Sequence, residues 1–227
     1  MAKPGPTETA GEGPQLRPLH GGRHNLPRDV VAFNQRERML AAVASVVAGQ
    51  GYNKMTVAHV TEVASVSRRV FYEHFSDKED AFLAAYDAVD SHLASLLAEA
   101  AEERSDWPEQ VAAVLVELTR FFAAHVDVAR LYLVEAAVVG EGTVERREQS
   151  TERLIALLSE GREQRVEGRG LSPGIEEGLV GGVMTMLARR VVAEAEQLER
   201  FAPAAIEFVL TPYLGPTEAR RFACGEV

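Results

Sequence analysis

The chain has 227 residues, 46% of them hydrophobic and 26% charged, with a formal net charge of -10. That composition excludes a membrane-spanning protein: the longest apolar stretch, Gly178 to Ala188, is interrupted by Thr185 and falls short of the roughly 18 residues a span needs. The N-terminus lacks the apolar core of a signal peptide, and the single cysteine, Cys224, excludes an internal disulfide, so a cytoplasmic protein is expected, with Cys224 a bystander.

The charge is unevenly placed. Residues 1–80 hold ten Lys/Arg and nine Asp/Glu, net +1; residues 81–227 hold fourteen and twenty-five, net -11. A near-neutral head on an acidic body fits contact with nucleic acid through the head alone.

In chain order, residues 1–27 are rich in Gly and Pro and read as a flexible arm. Its basic end holds Arg17, His20, Arg23, His24 and Arg28; this is either a solvated tail or an arm for a neighbouring DNA groove. From Asp29 the pattern turns helical, with Phe33, Leu40, Val43 and Val47 on one face, Met39 and Val46 beside them, and Gly49 and Gly51 as the stop. Thr56 caps a second helix whose stripe is Val57, Val60 and Ala64. Ser65-Val66-Ser67 interrupts it, and Ser67 caps a third helix, Arg68 to Phe75. Ser76-Asp77-Lys78-Glu79 reads as a capping box for a fourth helix, which carries Phe82, Tyr86, Val89, Leu93 and Leu96 on one stripe.

Helical patterns continue from Trp107-Pro108 through Phe122, over 127–139, over 143 to about 165, and then over 175–197 and 198–214, with a loop at 168–174. No alternating strand pattern and no repeat interrupts them. The expected fold is all-α with about nine helices.

The third helix is too short to stand alone. Phe71 and Phe75 share its inner face, while Arg69 and Glu73, flanked by Val70 and Tyr72, face outward, with Arg68 in reach of that surface. Arg68 and Arg69 occupy the first helical turn, where cations oppose the helix dipole, and Lys78 does the same in the next helix. Three such cations point to a polyanionic partner, with Tyr72 and His74 able to bond phosphate oxygens. The plain alternative is a solvated face, since Arg69 and Glu73 form an i, i+4 pair and Asp77, Glu79 and Asp80 partly balance Lys78.

Thr56-Val57-x-x-Val60, Val63-Ala64-Ser65-Val66-Ser67 and Phe71-Tyr72-x-His74-Phe75-x-x-Lys78 together resemble the N-terminal signature of TetR-type (TetR/AcrR) transcriptional regulators, over about residues 35–86. Two positions depart from it: Ser65, where the family has a turn glycine, and Val70, where a small or hydroxylated residue is common.

The resemblance implies a three-helix DNA-binding head with a helix-turn-helix over residues 28–76 and a larger helical ligand-binding and dimerisation body over 77–227. Arg68 to Phe75 would be the recognition helix, with Arg68 and Arg69 on guanine edges and Val70 on a thymine methyl. Thr56, Ser67, Tyr72, His74 and Lys78 would complete the DNA surface. The partners implied are a double-stranded palindromic operator, a second copy of the chain and a small apolar effector that releases a repressor; no cofactor and no membrane are implied.

Candidates for the effector pocket are Phe82, Tyr86, His92, Phe121, Phe122, His125, Tyr132, Glu135 and Met184; Glu135 would orient a polar ligand or pair with Arg130 or Arg190. Candidates for the dimer face are Leu179, Val183, Met186, Phe201, Ala205 and Phe208, with Gly178, Gly181 and Gly182 allowing close approach. An enzyme is disfavoured by the lack of HExxH, G-x-S-x-G, dinucleotide and P-loop motifs and by scattered histidines. An all-α interaction or small-molecule-binding protein without DNA binding is the other reading.

Overall fold

The computed structural model describes residues 28–165, 168–193 and 195–225, and every regular element among them is helical. The basic arm expected at 1–27 lies outside the described residues. Helix α1 (Arg28–Gln50) buries Met39, Leu40, Val43, Val46 and Val47, and Gly51 turns the chain at φ 80°. Phe33 does not join that face: it is 68% exposed, while its neighbours on both sides are half-buried.

Helices α2 (Val57–Ala64) and α3 (Arg68–His74) close the head against α1. The next helix, α4 (Lys78–Glu102), starts one residue later than the capping box implied. Asp77 is the N-cap and accepts from the amides of Glu79 and Asp80, while Ser76 donates its amide to Asp80. Asp77 wins because its carboxylate satisfies two free amide donors at the positive helix end.

In the body, α5 (Trp107–Ala124) packs along α4. Then α6 (Val126–Ala129), a π-helical turn (Arg130–Glu135) and α7 (Ala136–Val139) form one run that touches α1. They are followed by α8 (Glu141–Gln164), α9 (Ile175–Ala193), a 3-10 turn (Ala195–Phe201), α10 (Ala202–Leu214) and α11 (Pro216–Cys224). With the α6–α7 run taken as one, ten helices are described, against about nine expected. The unforeseen α11 arises because Gly215, at φ 77°, breaks the helix and Pro216 restarts it at a first-turn position where its missing N–H costs nothing.

Around Trp107 the body is locked. Its indole is 1% exposed and donates to the carbonyl of Leu157 at 2.7 Å, with the Tyr213 ring edge-on at 5.0 Å. The indole lies over Gly161, where a Cβ would fall 2.2 Å from it. Arg162 of α8 pairs with Glu176 of α9 at 2.9 Å, and the Tyr213 hydroxyl of α10 donates to the same carboxylate at 3.3 Å. Four helices are thereby tied at one end of the body.

Candidate nucleic-acid interface and effector cavity

The turn between α2 and α3 is built by backbone geometry. Ser65 sits at φ 52°, ψ 48°, the one non-glycine residue with positive φ among those described. Its amide donates to the Glu62 carbonyl at 3.1 Å and that of Val66 to Thr61 at 3.0 Å, a Schellman closure that normally uses glycine. Arg38 of α1 reaches across, donating to the carbonyls of Ala64 and Ser65. Thr56 caps α2 by accepting from the His59 amide, and Ser67 caps α3 by accepting from Val70 at 3.2 Å.

Helix α3 is pinned by Phe71 and Phe75, both buried, with rings 5.4 Å apart. Its outer face leaves Ser67, Arg68, Arg69 and Tyr72 exposed, and Thr56 is exposed beside it at the start of α2. Val70 and His74 are half-buried, and Val70 packs partly on the core. Arg69 pairs with Glu73 at 3.0 Å while its side chain stays 89% exposed, so the pair is weak, of the order of 0.5 kcal/mol. Arg68 makes no ion pair among the described residues.

Lys78 is drawn inward. Its ammonium donates to the carbonyls of Tyr52 and Met55, each at 3.3 Å, and lies 4.5 Å from the centre of the Tyr52 ring. On the other side of this turn the Tyr52 amide donates to Glu135 at 2.9 Å. The two contacts clamp residues 52–55 of the head between α4 and the π turn. Glu135 therefore neither faces a ligand nor pairs with Arg130 or Arg190; Arg190 stacks on Phe201 at 3.9 Å instead. No sequence pattern links residues 83 positions apart.

Two adjoining cavities lie in the body. The first, of about 200 Å³, is walled by apolar residues of α4, α5 and α8 such as Leu93, Leu97, Leu118 and Leu157. The second, of about 300 Å³, is bordered by Tyr86, Thr151, Arg147 and Arg189. Tyr132, Ser150 and Met184 border both. Between them Asp90 accepts from the Tyr132 hydroxyl at 2.8 Å, the Ser150 hydroxyl at 2.6 Å and Arg153 at 3.0 Å.

Of the nine pocket candidates, Tyr86, Tyr132 and Met184 border these cavities. Phe82 packs on Tyr52 at 5.2 Å, and Phe122 fills the core beside Tyr132. His92 and His125 are exposed against Phe121, away from both cavities. Sequence reasoning missed Asp90, Ser150, Arg147, Arg153 and Arg189. Asp90 carried a usable signal: it lies four residues after Tyr86 and three before Leu93, an acid beside an apolar stripe.

The dimer candidates divide as well. Leu179, Val183, Phe201 and Ala205 are buried in the protomer's own core, and Met186 is half-buried against it. Phe208 is 41% exposed and borders an open apolar groove with Gly178, Ala204 and Pro212. Gly182 makes room for Phe208 itself, whose ring would meet a Cβ at 3.1 Å, while Gly178 and Gly181 face open space.

Residues 39–85, which span most of the described head and the first turns of α4, match the family model described as bacterial regulatory proteins, tetR family. The head is a TetR-family DNA-binding domain, that of a transcriptional regulator. The regulator is 27% identical over 152 residues to the HTH-type transcriptional activator FasR of Mycolicibacterium smegmatis, covering 64% of this chain and 67% of that one. It is 27% identical over 123 residues to the HTH-type transcriptional repressor AcnR of Corynebacterium diphtheriae, covering 49% and 63%. It thus spans about two thirds of these relatives. Its fold superposes on the transcriptional regulator FadR of Bacillus subtilis, solved in complex with stearoyl-CoA, at a TM-score of 0.68 with 18% identity, over 79% of this chain and 98% of that one. The matched DNA-binding domain sets aside the interaction module without DNA binding. No described helix is long and apolar enough to cross a membrane.

Proposed function

We propose that the regulator is an effector-controlled repressor that binds a palindromic operator as a homodimer, with residues 28–76 as the reading head and 77–227 as the effector and dimer body. The observation that carries this is the outer face of α3, where Arg68, Arg69 and Tyr72 stand exposed on a helix fixed from behind by Phe71 and Phe75. Arg68 and Arg69 read base edges and Val70 adds an apolar contact at the rim. Thr56, Ser67, Tyr72 and His74 hold phosphates, and Lys78 contributes its remaining N–H. Repression needs only occupancy of the operator, whereas activation needs a further surface for the transcription machinery.

The groove beside Phe208, formed by α9 and α10, is the dimer face. The two heads then meet half-sites spaced by about one DNA turn, roughly 34–36 Å. The effector enters the adjoining cavities; the stearoyl-CoA complex of the structurally similar FadR supports a ligand with an apolar chain. Its arrival beside Tyr132 shifts the π turn three residues from Glu135, and the clamp on residues 52–55 passes that shift to the head. The test is selection of genomic DNA by the purified chain, followed by sedimentation of the selected complex. Recovery of a palindrome bound by two copies supports the proposal; a one-copy complex on an asymmetric site rejects it.

A further inference from the structure

The Tyr86 hydroxyl is a buried group without a hydrogen-bond partner, on a side chain only 1% exposed that borders the second cavity. Buried hydroxyls are nearly always bonded, so an orphan facing a cavity marks a missing partner. The hydroxyls of Tyr132 and Ser150 lie close by, but neither meets Tyr86 in hydrogen-bond geometry. Tyr132, whose ring stacks on that of Tyr86 at 4.6 Å, donates to Asp90, and Ser150 lies within reach of both Asp90 and the Arg146 carbonyl. Arg153 also bonds Asp90, so this carboxylate is neutralised within the wall.

Burial holds the Tyr86 phenol above its ordinary pKa, which leaves the hydroxyl a neutral donor. At the rim, Arg147 and Arg189 are exposed cations without an ion pair among the described residues. One cavity is therefore apolar, and its neighbour offers a desolvated donor with two cations beyond it. Together they fall inside the roughly 300–1,000 Å³ typical of small-molecule sites.

We infer that the second cavity receives the polar end of an amphiphile: a carbonyl-type oxygen accepts from Tyr86, negative charge on or just beyond that group meets Arg147 and Arg189, and the alkyl chain fills the first cavity. This rests on the effector reading and names the ligand's chemistry. A hydrocarbon leaves Tyr86 unsatisfied, and an alkylamine meets two like charges. A free alkyl carboxylate and an acyl thioester on an anionic carrier share the required chemistry.

The test is calorimetric titration of the full chain with decanoate, decanoyl-CoA, decanol and decylamine. At least one of the two acyl probes binds, decanol binds more weakly and decylamine does not bind; which acyl probe is tighter identifies the source. Tyr86→Phe weakens the acyl probe about tenfold, the loss of roughly one buried hydrogen bond, while the empty protein melts no lower than the parent because an orphan hydroxyl has been removed. Arg147→Ala with Arg189→Ala weakens the acyl probe but not decanol. Failure of both acyl probes to bind, decanol or decylamine binding as tightly as they do, or an unchanged affinity in Tyr86→Phe overturns the inference. Operator affinity measured beside it separates the two readings. Tyr86-dependent acyl binding without operator release upholds the site and rejects the effector role. Release by decylamine, with no acyl binding, rejects the site and leaves the effector role standing.

Discussion

Replacing Ser65 by glycine should stabilise the protein. Ser65 holds the left-handed conformation that closes α2, at φ 52° and ψ 48°, and an L-residue there costs roughly 1–2 kcal/mol. Glycine removes that cost but brings a more flexible unfolded chain, about 0.5–1 kcal/mol in the other direction. No side-chain hydrogen bond is lost, since the described contacts of Ser65 run through its amide and carbonyl. The net gain is about 0.5–1 kcal/mol, which raises the melting temperature by roughly 1–4 °C at this chain length. Ser65→Val, with a branched side chain in the same conformation, should lose at least about 1 kcal/mol. Urea denaturation with matched slopes measures both. A glycine variant less stable than the parent, or a valine variant equal to it, would refute the reasoning.

Three further outcomes follow from the packing. Gly161→Ala puts a methyl into the Trp107 ring and should destabilise by about 2 kcal/mol or more, read as a lower urea midpoint. Glu135→Ala leaves the Tyr52 amide without its acceptor; it should cost about 1–3 kcal/mol in stability and reduce the effect of a bound ligand on operator affinity. The Arg162 guanidinium holds the Glu176 carboxyl below its ordinary value. Its contribution is thus present above the usual carboxylate range and is lost as pH falls through the lowered folded-state value, so Glu176→Gln should be less stable at neutral pH and lose less stability on acidification.

The head was legible because its rules are local. Thr56 and Ser67 cap helices through amides three residues on, and Phe71 and Phe75 are paired by helical spacing alone. The body obeys longer-range facts. Leu179 and Val183, expected at a dimer face, are covered within the same protomer. Glu135 reads as a ligand anchor or a partner of Arg130 or Arg190 because the backbone amide it binds lies 83 positions away. The two cavities escaped for the opposite reason: the large aromatics Phe82 and Phe122 fill space, whereas a cavity is bordered by what leaves space open. Asp77 displaced Ser76 as a cap by one residue, a choice between two competent side chains that spacing does not decide.

The most direct test of the central claim is titration of operator-containing and scrambled duplex DNA across a salt series, with the parent, Arg69→Ala and Tyr72→Phe. The parent should bind the operator far more tightly than the scrambled duplex, with affinity falling steeply as salt rises. Arg69→Ala should narrow the gap between the two duplexes, and Tyr72→Phe should weaken both alike. Variants that match the parent on both duplexes would contradict the assignment of the outer face of α3 as the reading surface.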